Sequence, residues 1–160
     1  MSIRRLAAVP FLGPYIQKMG MVFVDRGERR QTARTVGDAA SRLREGWSIL
    51  SFPEGTRAIA GRLQRFKTAS FAAALDAGVP VVPVAVEGAG RVLPRDGFRA
   101  RPGSIHIRIG EPISTAGLTR DARGELAERV QREVEEMLAG LAKKIEPSCP
   151  QKPRPLSPSV

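Results

Sequence analysis

Apolar residues come in two kinds of run along this chain, and their alternation constrains the fold more than any other feature. Short runs of strand length, "MVFVD" (21–25), "WSILSF" (47–52), "VPVVPVAV" (79–86) and "SIHIRIG" (104–110), are set apart by stretches with helical spacing. In 29–45, Ala33, Val36, Ala39, Ala40 and Leu43 fall on one stripe, and Gly46 suits the helix end. The stretch 67–77 is rich in Ala and closes at Gly78. In 121–144 the stripe is Leu126, Val130, Val134, Met137, Leu138 and Leu141. Strands alternating with helices predict an α/β domain with a largely parallel β-sheet flanked by helices.

Details qualify the pattern. Pro80 and Pro83 inside 79–86 point to an edge strand or an irregular ladder, because proline donates no backbone hydrogen bond. In 104–110, Ile105, Ile107 and Ile109 share one face and His106 and Arg108 the other. "FLGPYIQKM" (11–19) reads as a short or turn-interrupted helix, and 87–102 as a loop. Residues 1–145 form the expected domain. Residues 146–160, "EPSCPQKPRPLSPSV", have the Pro- and Ser-rich composition of a disordered tail.

Composition narrows the chemistry. A chain of 160 residues, 42% hydrophobic, can build one real core, although only 5% of it is aromatic. The net charge is +10, from 26 Lys+Arg against 16 Asp+Glu. Five of the basic residues are Lys (Lys18, Lys67, Lys143, Lys144, Lys152), so the excess is Arg, whose planar fork suits phosphate. The long 121–144 helix is nearly neutral, so the excess lies on the rest of the chain. Cys149 and His106 stand alone, which excludes an intramolecular disulfide and argues against a zinc site. No run approaches the roughly 20 apolar residues of a spanning helix. The N-terminus lacks the apolar core of a signal peptide. With one Trp, one Tyr, and Arg spread along the chain, nucleic acid is not an expected partner.

The stretch "SFPEGTR" (51–57) leaves an apolar run through a tight loop. Pro53 fixes the exit direction, Gly55 lets a ligand approach the backbone, Arg57 offers five donors, and Glu54 can hold a guanidinium in place. By itself this composition fits a plain strand-to-helix turn or an anion site. Arg62, Arg65 and Lys67 follow it, just ahead of the Ala-rich helix. A second run, "GMVFVDR" (20–26), also ends with an Arg beside a Gly, Arg26 next to Gly27.

These residues carry a resemblance. Gly20, Phe23 and Arg26 are similar to the Gly-x-x-Phe-x-x-Arg motif of the glycerolipid acyltransferases, the 1-acylglycerol-3-phosphate acyltransferase family. "FPEGTR" (Phe52, Pro53, Glu54, Gly55, Thr56, Arg57) resembles that family's third motif, with Ala58 where Ser usually follows. "VPVVPV" (79–84), with Pro80 and Pro83, resembles its fourth. The order is the family's, and the resemblance runs from about residue 6 to residue 141. It implies transfer of a fatty acyl group from acyl-CoA or acyl-carrier protein to the hydroxyl of a lysophospholipid, without a further cofactor. It implies that Arg26 binds the acceptor phosphate and that Glu54, Gly55 and Arg57 shape the acceptor site; Thr56 of the same stretch, and Lys67 from its place just ahead of the Ala-rich helix, are expected there with them. It implies peripheral contact with an anionic membrane at its cytoplasmic face.

The family's first motif, His-x-x-x-x-Asp, supplies the general base and does not occur in this chain. His106, on an alternating strand, reads as a solvent-facing residue and is assigned no catalysis. Two explanations are carried forward: a chain truncated at its start, or a short protein that binds lysophospholipid without turning it over. Truncation is favoured, because a sheet lacking its first strand–helix unit exposes an edge. The reading frame upstream of Met1 tests it.

Overall fold

The computed structural model describes residues 29–56, 62–94 and 99–145. The "FLGPYIQKM" and "MVFVD" segments, Gly20, Phe23, Arg26, Arg57 and the 146–160 tail lie outside the described residues. Helix α1 spans Arg29–Arg44 and helix α2 spans Ala69–Ala77. Strand β1 is Val84–Glu87, followed by the single-turn helix α3, Ala89–Val92. Strand β2 is His106–Ile109. A 3₁₀ turn at Arg120–Ala122 leads into the longest helix, α4, Arg123–Ile145.

Each helix forms where the apolar spacing places it. On α4, Leu126, Ala127, Val130, Val134 and Met137 are buried, and Leu138 and Leu141 pack beside them. Their partners are Phe66, Phe71, Leu75, Ala85 and Ile113, which makes α4 the wall of the main core. Full burial of one such aliphatic side chain stabilises by about 1.5–3 kcal/mol. Helix α2 is rich in Ala, so α1 approaches it closely on one flank. Leu75 and Phe71 face the main core, while Ala72 and Ala73 pack on Val36 of α1. Helix α2 stops at Gly78, which adopts the left-handed conformation and donates its amide to the Leu75 carbonyl. Asp76 joins the elements polar end to polar end: its carbonyl accepts from Arg44 Nη2 at 2.6 Å, and its carboxylate lies 3.5 Å from Arg120.

The sheet departs from expectation. The described sheet has two strands and is antiparallel, with Val84 opposite Ile109 and Glu87 opposite His106. The described strands form no parallel pair, and the expected strand at 21–25 lies outside the described residues. A parallel connection needs a crossover element that can stack on the sheet, and among the described residues of the link from β1 to β2 the one element is the one-turn α3. "WSILSF" is likewise not a strand. A strand needs a ladder partner as well as apolar side chains, and among the described residues β1 and β2 bond only each other. Trp47, Leu50 and Phe52 stand exposed.

The irregular ladder foreseen from Pro80 and Pro83 is present. Val81 and Ile113 exchange amide hydrogen bonds of 3.0 and 2.8 Å, ahead of the regular pairing that starts at Val84 and Ile109. Two residues separate the paired positions on one side, Val82 and Pro83, and three on the other, Gly110, Glu111 and Pro112. One extra residue on one strand is a bulge, and it changes which face later side chains occupy. Along 81–86 the phase holds: Pro83 and Ala85 are buried, and Val82, Val84 and Val86 are exposed. Across the bulge it reverses. Ile107 and Ile109 are 63% and 70% exposed, whereas Ile113 is 8% exposed and Thr115 is buried, its hydroxyl donating to the Val79 carbonyl at 3.0 Å.

The two isoleucines therefore separate cleanly by experiment. Ile113→Ala is expected to cost about 2–5 kcal/mol in urea unfolding, whereas Ile109→Thr changes stability by no more than about 0.5 kcal/mol.

Candidate functional site

The segment 52–56 folds into a tight turn. The Gly55 amide donates to the Phe52 carbonyl at 3.0 Å, with Pro53 and Glu54 between them. Proline at the second position and glycine at the fourth are the residues such a turn prefers. Gly55 has φ +65°, in the region where a side chain is strained.

A second segment, 62–67, locks the turn. The Lys67 amide donates to the Pro53 carbonyl at 2.9 Å, and the Gln64 amide donates to Glu54 Oε2 at 2.8 Å. Glu54 is half-buried and Thr56 exposed. One oxygen of Glu54 holds the neighbouring backbone; Arg26 and Arg57, the guanidinium groups it is expected to steady, lie outside the described residues. The side chain of Lys67 lies across the turn: a Cβ added to Gly55 would sit 2.8 Å from Nζ and 3.2 Å from Cε. Glycine is therefore required here both by backbone conformation and by the cation packed over it. The result is an ammonium group packed against the turn, a positive charge that attracts an anion.

Of the residues expected at the site, the structure brings together Phe52, Pro53, Glu54, Gly55, Thr56 and Lys67. Arg26 and Arg57 lie outside the described residues. Pro83 is fully buried and its carbonyl accepts from the Gly110 amide at 2.9 Å, so it serves the core ladder; Pro80 is an exposed residue of the same segment. Thr68, at the start of α2, makes no side-chain capping bond. Sequence reasoning missed Gln64 and Gln131. The Gln131 Oε1 accepts from the Phe66 amide at 3.0 Å, and its Nε2 donates to Glu135 at 2.9 Å. Nothing in the sequence links positions 66 and 131.

His106 is half-buried rather than solvent-facing, and in register with Glu87 across the ribbon. Arg91 holds the Glu87 carboxyl below its ordinary range, chiefly through hydrogen bonds of 2.6 and 2.8 Å, with His106 adding a smaller pull in the same direction. Among the described residues no group of three His, Cys, Asp or Glu side chains is placed to hold a metal ion.

The acyltransferase family model matches residues 1–87, more than half of the chain. The chain belongs to the acyltransferase family. It is 31% identical to the 1-acyl-sn-glycerol-3-phosphate acyltransferase of Pseudomonas aeruginosa, over 87% of this chain and 54% of that one. It is 34% identical to the enzyme of the same name from Saccharomyces cerevisiae, over 84% of this chain and 46% of that one. Its fold is similar to the crystal structure of the 1-acyl-sn-glycerophosphate (LPA) acyltransferase PlsC from Thermotoga maritima. There the TM-score is 0.66 and the identity 32%, over 84% of this chain and 54% of that one. The chain spans about half the length of the curated relatives it matches.

Two outcomes follow from the geometry. Gly55→Ala is expected to cost about 1–2 kcal/mol from backbone strain alone, read as a lower thermal midpoint. In a carboxyl NMR titration, Glu87 should titrate below an ordinary glutamate and move up in Arg91→Ala. Because the folded pKa is depressed, the ion pair's contribution is present above the unfolded carboxylate pKa. It is lost as pH falls through the folded value.

Proposed function

We propose that this chain carries the acceptor side of an acyl transfer from acyl-CoA or acyl-carrier protein to 1-acylglycerol 3-phosphate, the reaction that yields phosphatidic acid. The observation that carries the reading is the Lys67 ammonium laid over the Gly55 turn, within the residues that match the family's Phe-Pro-Glu-Gly-Thr-Arg motif. Lys67 and the guanidinium groups of Arg26 and Arg57 bind the phosphate of the acceptor. Glu54 keeps the turn in shape by accepting from the Gln64 amide. In the reaction the acceptor hydroxyl oxygen attacks the thioester carbonyl carbon, the carbon–sulfur bond breaks, the thiol leaves, and a base takes the hydroxyl proton.

The only histidine, His106, belongs to the β1–β2 ribbon opposite Glu87, and we assign it no part in that proton transfer. That placement favours a second reading, a lysophospholipid-binding module of the same fold that does not turn its ligand over. Membrane contact is proposed to be peripheral, at the cytoplasmic face of an anionic bilayer. A net charge of +10 supports this, and no helix among the described residues is long and apolar enough to cross a membrane.

Incubation with labelled acyl-CoA and lysophosphatidic acid separates the readings. We expect binding of the acceptor without turnover by this chain alone; turnover would mean that it does hold a base. Arg26→Ala, Arg57→Ala and Lys67→Ala are each expected to weaken acceptor binding by about 1.5–3 kcal/mol, as for a hydrogen bond to a charged group. Unchanged affinity in all three would end the phosphate assignment.

A further inference from the structure

We propose that Gln131, on the long helix α4, is a positioning residue for the acceptor site: it fixes the backbone from which Lys67 reaches over the Gly55 turn. The inference rests on the acceptor-binding reading given above. The ring of Phe66 is anchored in the main core and stacks on Phe71, with centroids 6.3 Å apart. A buried ring fixes where residue 66 sits, but not how the peptide groups on either side of it are turned. Two hydrogen bonds do that. The Phe66 amide donates to Gln131 Oε1 at 3.0 Å, and the next amide, that of Lys67, donates to the Pro53 carbonyl at 2.9 Å. With both flanking peptide planes pinned, the Cα of Lys67 has a set direction, and its side chain leaves toward Gly55.

Gln131 is itself oriented. Its amide nitrogen donates to Glu135 Oε1 at 2.9 Å, one helical turn on, which leaves the amide oxygen for Phe66. A glutamine is needed because one end must accept and the other donate. The path from helix to cation is continuous: Glu135, Gln131, the Phe66 amide, the Lys67 amide, the Pro53 carbonyl. The neighbouring Gln64 amide on Glu54 braces the other side of the same turn. The rigid helix that walls the core thus holds the cation of the site through a single polar side chain. The exchange of roles in the pair Gln131→Glu with Glu135→Gln preserves the arrangement. The carboxylate then accepts from the Phe66 amide and from the new side-chain amide at position 135.

The test uses the full chain, with hydrogen exchange by mass spectrometry and titration with a short-chain lysophosphatidic acid and the matching uncharged monoacylglycerol. Gln131→Leu should speed exchange in 52–56 and 62–68 while leaving 84–87 and 106–109 as in the parent. It should weaken lysophosphatidic acid about five- to tenfold, the size of one lost hydrogen bond, and leave monoacylglycerol unaffected. The exchanged pair should restore both readouts. In a Lys67→Ala background, Gln131→Leu should bring no further loss of affinity, because Gln131 acts through Lys67. Parent-like exchange in Gln131→Leu, failure of the exchanged pair to restore, or an undiminished loss in the Lys67→Ala background would overturn the proposal. If Gln131→Leu does not fold, the exchanged pair alone decides. If the parent chain fails to bind lysophosphatidic acid, the acceptor-binding reading falls, and the exchange data by themselves decide whether Gln131 holds the turn.

Discussion

Burial of one helix face organises everything else that is described in this molecule. The stripe from Leu126 to Met137 on α4 touches the Ala-rich α2, the β ladder at Ala85 and Ile113, and the ring of Phe66. Polar contacts at the periphery, such as Arg120 with Asp76, are of the kind worth about 0–1 kcal/mol when solvent reaches them. A single buried aliphatic side chain outweighs them. The ladder and the turn keep their places because they are packed on α4. Among the described residues that wall supports the two-stranded ribbon, since such a ribbon alone is marginal in water.

The site is built with a different economy. The turn at 52–56 has little side chain in the core: Phe52 is exposed, and Pro53, Glu54 and Gly55 are half-buried. Its order comes from directed hydrogen bonds to the segment 62–67, and that segment is tied in turn to the core by Phe66. The Pro53 carbonyl and the Glu54 carboxylate fasten the turn to the neighbouring segment, and the Lys67 side chain lies across it.

Much of this was legible in the sequence, for reasons that differ by element. Helices α1, α2 and α4 were readable because a stripe recurring every three or four residues has few other solutions, and Gly78 marked its helix end. Ala33 is the exception: it lies on the α1 stripe but stays exposed, because α2 is too short to cover that end. The turn residues announced themselves through proline and glycine. Strand pairing was not legible, because direction depends on what the connection does in space and not on the apolarity of 79–86 or 104–110. "WSILSF" looked like a strand for its side chains, yet a ladder is made by backbone groups elsewhere. His106 was placed on the right strand, but the regular alternation of 104–110 could not tell which face the protein would cover. Gln131 was invisible because a long-range bond from a side chain to an amide leaves no local pattern.

The offset between Val81–Ile113 and Val84–Ile109 has a consequence for how this region can vary. Glu111 and Pro112 face solvent, so side-chain identity there is loosely constrained. Number is another matter. Dropping one residue from 110–112 would leave two residues on each side between the paired positions, so the bulge and the local bend it gives would vanish while Ile113 still opposed Val81. The third residue sets the bend of the strand here, while the chemistry of the stretch is free to drift.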